Sequence, residues 1–308
     1  MSGVLVVGDI VTDIVAVQSG ALAVGSDTAA SISLTGGGSA ANTAAWLSTQ
    51  DTVVGLAGVV GTDIAGDDRI NELTAAGVDC QWVRRSSAAP TGSVIVLAQS
   101  SERSMLCDRG ANLLLIPSDV DKALSGMDPA HVHLSGYTLL DGTSLPAGRH
   151  ALAAASARGI TTSVDAASAA PLRRVGGATF LDWIRGTDIL FANLDEAHAL
   201  LDELASSDRG WVDPVRLAVR LARVARYAVV KLGSDGAIWA DASGAVVRVP
   251  AVPARLLDPT GAGDAFAAGL LATWLTGSPI EACLTAATRL GARAVSVVGG
   301  RPPTTTHR

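Results

Sequence analysis

The chain has 308 residues, 48% of them hydrophobic and 33 of them glycine, which is material for a large packed core and not the composition of a disordered protein. Its formal charge of −6, its two lysines (Lys122 and Lys231) and the lack of any basic run argue against nucleic acid as a partner. Cys80, Cys107 and Cys283 form neither a metal-spaced pair nor an even disulfide framework, and no apolar run reaches bilayer length. A soluble cytoplasmic protein without a membrane partner is therefore expected.

From the N-terminus, residues 4–7 form a continuous apolar run ending at Gly8-Asp9, as expected of a strand buried on both faces. No basic segment precedes it, which argues against a signal peptide. Residues 10–17, with Asp13 among β-branched neighbours, and residues 31–34 predict a short peripheral antiparallel pair. Gly36-Gly37-Gly38 opens a helix of small residues reaching about Gln50, and a buried strand follows at 52–60. Gly61-Thr62-Asp63 leads into a helix ending at Gly77, a C′ glycine. Short strands are predicted at 82–83, 92–99 and 104–107, with Glu102-Arg103 at a hairpin turn.

After Asn112 the alternation becomes regular. Strands are predicted at 131–134, 161–165, 189–192, 228–232 and 245–249, with helices at 146–158, 195–205 and 214–226. Two last helices, 265–275 and 280–294, precede a polar tail at 302–308. This pattern predicts an α/β fold, a doubly wound and mostly parallel sheet flanked by helices, with ligands at the carboxyl ends of its strands.

The stretch Asp258-Pro259-Thr260-Gly261-Ala262-Gly263-Asp264-Ala265-Phe266 reads as a strand end, a glycine turn and the start of a helix. Small residues there let backbone N–H groups converge on an anion, and Asp264 behind them is placed as a general base. Taken alone, an ordinary turn with an acid in the first helical turn explains it equally well. Gly36 to Ala41 fits G-x-G-x-x-A, but the strand before it is short and half polar and no acid follows at ribose-binding distance. Close approach of backbone to a polar ligand beside Asn42 is the better use of those glycines.

No lysine follows a glycine, so there is no Walker A loop, and Gly-x-Ser-x-Gly is absent. His131 and His133 lie on one face of a strand without an acidic or cysteine neighbour, which favours structural histidines over metal ligands. Asn193 and Glu196 fit a capping box, and the same two side chains fit a hydrated Mg²⁺ site beside phosphates. The segment Lys231 to Gly236 suits either a hairpin or a nucleotide-contacting loop.

In this order the motifs resemble the ribokinase-type (PfkB) family of carbohydrate and nucleoside kinases over nearly the whole chain. The stretch from Asp258 to Gly269 is similar to the family's C-terminal signature; Gly37 to Asn42, Gly58 to Gly66, Gly77-Val78-Asp79, Gly110-Ala111-Asn112 and Asn193 to Glu196 supply the rest. The resemblance implies one kinase domain over residues 1–308 with a small β-sheet lid formed by residues 12–35 and 82–110. It implies that Asp264 is the catalytic base and that Gly261, Ala262 and Gly263 form the anion hole. By the same resemblance Asp13, Gly37, Gly38 and Asn42 hold sugar hydroxyls. Asn193 and Glu196 organise Mg²⁺, through water, and phosphate; Lys231, Gly233 and Gly236 lie at the nucleotide; Asp258 and Thr260 match the monovalent-cation loop of potassium-activated members.

The implied cofactors are ATP and Mg²⁺, with K⁺ in such members, and the implied assembly is a homodimer through the lid. Lys231 stands where many relatives have Thr, and Asp165-Ala166-Ala167-Ser168 lacks a common Asp-Pro-Asn form, so Asp165 receives no role here. The expected activity is phosphorylation of a primary hydroxyl of a small sugar. A nucleoside kinase (for adenosine, pseudouridine or a similar substrate) is the alternative. A non-catalytic sugar- or nucleotide-binding regulator and a dinucleotide-dependent oxidoreductase are the remaining readings. Trp82, as the one aromatic residue expected in the lid, tilts the choice toward a free sugar, because nucleoside sites stack bases on aromatic rings.

Overall fold

The computed structural model describes residues 3–18, 20–99, 102–202 and 213–303. Strand β1 (Val4–Val7) is apolar and buried at all four positions. β2 (Val11–Gln18) and β3 (Ala30–Gly37) leave it as an antiparallel pair. Helix α1 (Ser39–Ser48) then leads to β4 (Val54–Gly61), which lies parallel to β1. Helix α2 (Ile64–Ala75) is capped by Asp63, whose carboxylate accepts from Gly66 N–H at 2.8 Å. It closes with Gly77 at φ 90°, as the sequence predicts.

β5 (Val83–Ser86) pairs parallel with β4, and β6 (Gly92–Gln99) and β7 (Glu102–Asp108) form a hairpin. The regular part follows as α3 (Pro117–Met127), β8 (His131–Ser135), α4 (Leu145–Ala157), β9 (Thr161–Asp165), α5 (Ala169–Val175), α6 (Gly177–Trp183), β10 (Ile189–Asn193), α7 (Leu194–Leu200), α8 (Pro214–Leu221) and β11 (Tyr227–Lys231). β12 (Ala237–Asp241), β13 (Val246–Val249), α9 (Ala262–Trp274) and α10 (Ile280–Ala294) complete the chain.

The strands make two sheets. A nine-stranded sheet has the order β13-β12-β11-β10-β9-β8-β1-β4-β5, and a four-stranded sheet has the order β3-β2-β6-β7. Strands β11 to β5 of the large sheet are parallel, whereas β12 and β13 extend one edge antiparallel. One core on this sheet gathers side chains from α3 to α8, and the other gathers those of α1, α9 and α10. The expected doubly wound α/β architecture with a small sheet as lid is what the chain adopts.

Several expectations need correction. Residues 83–86 do not join the lid: they extend the large sheet at its β4 edge. Trp82 accordingly lies against α3, so close to Gly126 that an added Cβ there would meet its ring at 2.0 Å. The described strands of the lid thus contain no aromatic residue, and Trp82 says nothing about the substrate. Strand β12 is absent from the sequence reading, because Gly233 and Gly236 bracket a 3₁₀ turn that folds β12 back onto β11. The helix predicted at 214–226 stops at Leu221. Glu102 and Arg103, expected at a hairpin turn, are strand residues paired with Gln99 and Ala98; residues 100–101, 203–205 and most of the polar tail lie outside the described residues.

No helix among the described residues is long and apolar enough to cross a membrane.

Candidate active site

The carboxyl ends of the parallel strands share one edge, and polar residues are concentrated there. β1 runs out into Asp9, β8 ends on Ser135, β9 on Asp165, β10 on Asn193 and β11 on Lys231. The chain proceeds from β1 to β4 on one side and places β8 on the other, so the direction of winding reverses beside β1. That reversal opens a crevice at the strand ends, the usual ligand position in open α/β sheets.

Helix α9 points its N-terminus at this edge. Gly261 precedes it at φ 73°, and an added Cβ there would lie 2.2 Å from the Gly300 carbonyl oxygen, so the turn admits only glycine. Ala262 N–H donates to the Pro259 carbonyl and Ala265 N–H to that of Gly261. The N–H groups of Gly263 and Asp264 have no acceptor among the described residues. An added Cβ on Gly263 would come within 3.1 Å of Lys231 Nζ, so the bare glycine leaves a gap between free amides and an ammonium. An anion of phosphoryl size fits that cradle chemically.

Asp264 stands at its rim. Its carboxylate accepts from Ser39 Oγ at 2.8 Å and from Asn42 Nδ2 at 3.0 Å, both from the first turn of α1, more than 220 residues away in sequence. Burial, reinforced by the charge of Asp165, pushes the Asp264 pKa up to about 7, against the pull of those hydrogen bonds. A carboxylate with that pKa exchanges a proton near neutrality, as a general base must.

α1 begins on Gly38 at φ 98°, whose absent Cβ would lie 2.4 Å from the Asp9 carbonyl. Asp9 caps the helix from outside: its carboxylate accepts from Ser39 N–H at 3.0 Å, from Ala40 N–H at 3.4 Å and from Ser135 Oγ at 2.7 Å. Asp13, on β2, lies over Gly37, where an added Cβ would meet its carboxylate at 2.3 Å. Burial raises its pKa to about 6, although Arg301 and Arg69 oppose the shift. Arg301 donates to the Gly37 carbonyl and to Glu72 Oε2, both at 3.0 Å, and ties the C-terminal segment to the lid's base.

On the far side of α9, Lys231 Nζ donates to Asp165 Oδ2 at 2.7 Å. Burial works against its charged form, but the carboxylates of Asp165 and Glu196 more than offset this and raise its pKa. Lys231 lies beside Asn193 in the β10–β11 register. Asn193 and Glu196 form a reciprocal capping box, with Asn193 N–H and Nδ2 both donating to the Glu196 carboxylate at 2.7 Å and Glu196 N–H returning to Asn193 Oδ1 at 2.9 Å. Burial raises the Glu196 pKa to about 7. The capping role and an anionic site beside Lys231 thus use the same side chains.

The structure therefore brings Asp264, Gly261, Ala262, Gly263, Asn42, Gly38, Gly37 and Asp13 into one group, with Lys231, Glu196 and Asn193 adjoining it. Asp258 lies at the α9 turn, accepting from Thr260 N–H at 2.7 Å and from Gly299 N–H at 3.0 Å. Gly236 owes its glycine to packing, since a Cβ would lie 2.0 Å from the Val249 carbonyl oxygen, whereas Gly233 faces open space. His131 and His133 are structural, as expected: both are fully buried, share Ser163 Oγ at 2.7 and 2.8 Å, and are kept neutral chiefly by burial. Among the described residues no group of three His, Cys, Asp or Glu is placed to hold a metal ion by itself. A Mg²⁺ here would be one carried by phosphates, the free amides suiting the phosphates and the buried Glu196 carboxylate the ion.

Sequence reasoning missed Asp9 and Arg301, and left Asp165 without a role. Asp9 had a signal, an acid one glycine beyond a fully buried strand. Arg301 and Asp165 acquire their place only through long-range contacts.

A model of the pfkB family of carbohydrate kinases matches residues 1–307. The chain is 35% identical over 274 residues to an ATP-dependent ribose-1-phosphate kinase from Halopiger xanaduensis, covering 86% of this chain and 82% of that one. It superposes on the adenosine kinase of Sinorhizobium meliloti with a TM-score of 0.85 at 27% identity, covering 98% and 96% of the two chains. An Escherichia coli protein solved with ATP and Mg²⁺ shares the fold, with a TM-score of 0.81 at 24% identity over 99% of this chain and 96% of that one. Family match, fold and the edge-on site agree: the chain belongs to the pfkB family of ATP-dependent carbohydrate kinases.

Proposed function

We propose that the protein transfers the γ-phosphoryl group of ATP to a primary hydroxyl of a small sugar, with Asp264 accepting the hydroxyl proton. The observation that carries this reading is the pairing of a carboxylate of pKa about 7 with free amides and a lysine across one helix start. In phosphoryl transfer, positioning and charge stabilisation do most of the work. Gly261, Ala262 and Gly263 would receive the transferring group, and Lys231 would add its charge. Asp13, Gly37, Gly38 and Asn42 would hold the sugar hydroxyls. Gly233 and Gly236 border the nucleotide in this reading, and Asp258 and Thr260 the monovalent cation. Mg²⁺, when bound, would neutralise charge on the phosphates, and Asn193 and Glu196 are the residues suited to hold its water shell.

A nucleoside is the second reading, favoured by the similarity to an adenosine kinase and disfavoured by a lid without aromatic rings in its described strands. The name of the Halopiger xanaduensis relative adds a third acceptor class, a pentose that already carries a phosphate. A coupled ADP-release screen across pentoses, hexoses, pentose 1-phosphates and nucleosides tests all three. Turnover of none of them, while ATP still raises the melting temperature, would overturn the kinase reading.

The lid supports a further part of the proposal. Leu34, Ile14, Ile95 and Leu106 are cross-strand neighbours and form one aliphatic row over all four strands, on the face opposite Asp13. Leu34 and Leu106 are 68% and 60% exposed. We infer that a second copy of the chain covers this row, since a contiguous apolar sheet face seldom remains in water. Sedimentation should give a dimer for the native chain and a monomer for Leu34→Asp/Leu106→Asp; a native monomer would refute it.

A further inference from the structure

Arg109 follows the last strand of the lid and plays no part in the machinery above. Its guanidinium lies over the Tyr137 ring, 4.6 Å from the centroid, and its side chain is 21% exposed. Its carbonyl accepts from Asn112 N–H and Nδ2, but the guanidinium donates to no other described residue, and its ion-pair neighbour is Asp9 Oδ2 at 3.8 Å. That is beyond hydrogen-bond range, and Asp9 is already served by Ser39 N–H, Ala40 N–H and Ser135 Oγ. A planar fork of five donors is therefore oriented by an aromatic face and given no hydrogen-bond acceptor among the described residues.

Its position relative to the base is set by short links. Arg109 adjoins Asp9, Asp9 holds the Ser39 N–H, and Ser39 Oγ donates to Asp264. Tyr137, under the guanidinium, lies within reach of the charges of Arg109, Asp9 and Asp264 alike, so the arginine and the base belong to one neighbourhood. Carboxylates there suit hydroxyl groups and would repel an anion; a cation placed beside them serves a ligand that carries negative charge. Cys107, on the strand that ends just before Arg109, is also within the reach of its charge, as is Asp141. Neither is hydrogen-bonded to it.

We propose that Arg109, held by Tyr137, is a subsite for a phosphate ester on the acceptor sugar, so that the acceptor is a pentose phosphorylated at its anomeric carbon. This rests on the kinase reading of the same site. The acceptor must keep its primary hydroxyl for Asp264, which leaves the far side of the ring for the existing phosphate. In the reaction, the bond from the γ-phosphorus of ATP to its bridging oxygen breaks as the bond to the sugar's primary oxygen forms. The hydroxyl proton passes to Asp264 and ADP leaves. The anomeric phosphate is untouched, and the product is a pentose bisphosphate.

The test compares kcat/KM for ribose 1-phosphate, ribose and ribose 5-phosphate, with ATP and Mg²⁺, in the native chain, Arg109→Gln and Arg109→Lys. The native chain should prefer ribose 1-phosphate to ribose, and ribose 5-phosphate, which lacks the primary hydroxyl, should be inert. Arg109→Gln should cut the ratio of ribose 1-phosphate to ribose by about 10- to 100-fold, the worth of charge-assisted hydrogen bonds, and Arg109→Lys should restore part of it. Without nucleotide, ribose 1-phosphate should raise the melting temperature of the native chain more than that of Arg109→Gln. A native preference for ribose, turnover of ribose 5-phosphate, or a ratio unchanged in Arg109→Gln would overturn the subsite and leave the kinase reading intact. Turnover of none of the three would overturn the subsite, and turnover of nothing in the wider acceptor screen would overturn the kinase reading as well.

Discussion

Replacing Asp264 by Asn separates the base from the structure around it. Asp264 Oδ2 accepts from Asn42 Nδ2, and Asn42 Oδ1 is buried without a partner. Rotating the Asn42 amide would present that oxygen to the introduced amide group, while Ser39 Oγ would donate to the carbonyl that remains. The variant should therefore fold with its contacts preserved. Its kcat should fall by about 10²- to 10⁴-fold, the usual contribution of a positioned base.

Stability should move the other way. A carboxyl raised from 3.8 to about 7 in the folded state costs stability as pH rises through that window, because the unfolded chain ionises first. At ~1.4 kcal/mol per unit the full shift is worth about 4 kcal/mol, and roughly 2–4 kcal/mol after allowance for the residue's partial exposure. The free energy of unfolding of Asp264→Asn relative to the native chain should thus grow between pH 4 and pH 7 and level off above. Urea denaturation at a series of pH values measures it, with kcat determined on the same samples. Near-native kcat, or a stability difference flat across that window, would refute the reasoning.

Three further outcomes are expected. Ser39→Ala removes a hydrogen bond to the anionic form of Asp264 and should move the acid limb of the kcat/KM profile to higher pH; an unmoved limb would show that another group titrates there. Lys231→Met leaves Asp165 buried and unpaired and should cost about 3–5 kcal/mol in urea denaturation, with most of it recovered by the double variant Lys231→Met/Asp165→Leu. A single variant as stable as the native chain would count against a buried pair. Gly236→Ala, at φ 94° and against the Val249 carbonyl, should destabilise the β11–β12 hairpin by about 2 kcal/mol or more. Gly233→Ala, with open space around it, should cost only about 1 kcal/mol, and equal losses in thermal melts would contradict the packing argument.

Much of this molecule was legible before its coordinates. The buried parallel strands announce themselves as apolar runs, because a strand covered on both faces needs no polar side. The α9 turn was legible for a local reason too: Gly261, Ala262, Gly263 and Asp264 are adjacent, so their amides and carboxylate converge whatever the rest of the chain does. The Asn193–Glu196 capping box is likewise a contact three residues long. Such features depend on spacing along the chain, and spacing is what a sequence displays.

Other features depended on contacts that no local pattern encodes. Residues 83–86 could have joined either sheet, and their pairing with β4 is a tertiary outcome. Trp82 changed its meaning with them, from a lid aromatic to a ring packed on α3. Lys231 and Asp165 meet because β9 and β11 flank β10, and Ser39 meets Asp264 because α1 packs on α9. Arg109 reads in sequence as one arginine before a glycine; only the folded chain places it over Tyr137 and beside Asp9. By itself, then, the sequence determined the fold class, the family and the glycine turn that sets Asp264 at a helix start, all of which rest on short-range chemistry. Tertiary structure alone decided which distant charges surround Asp264, because long-range pairing sets burial and burial sets the pKa.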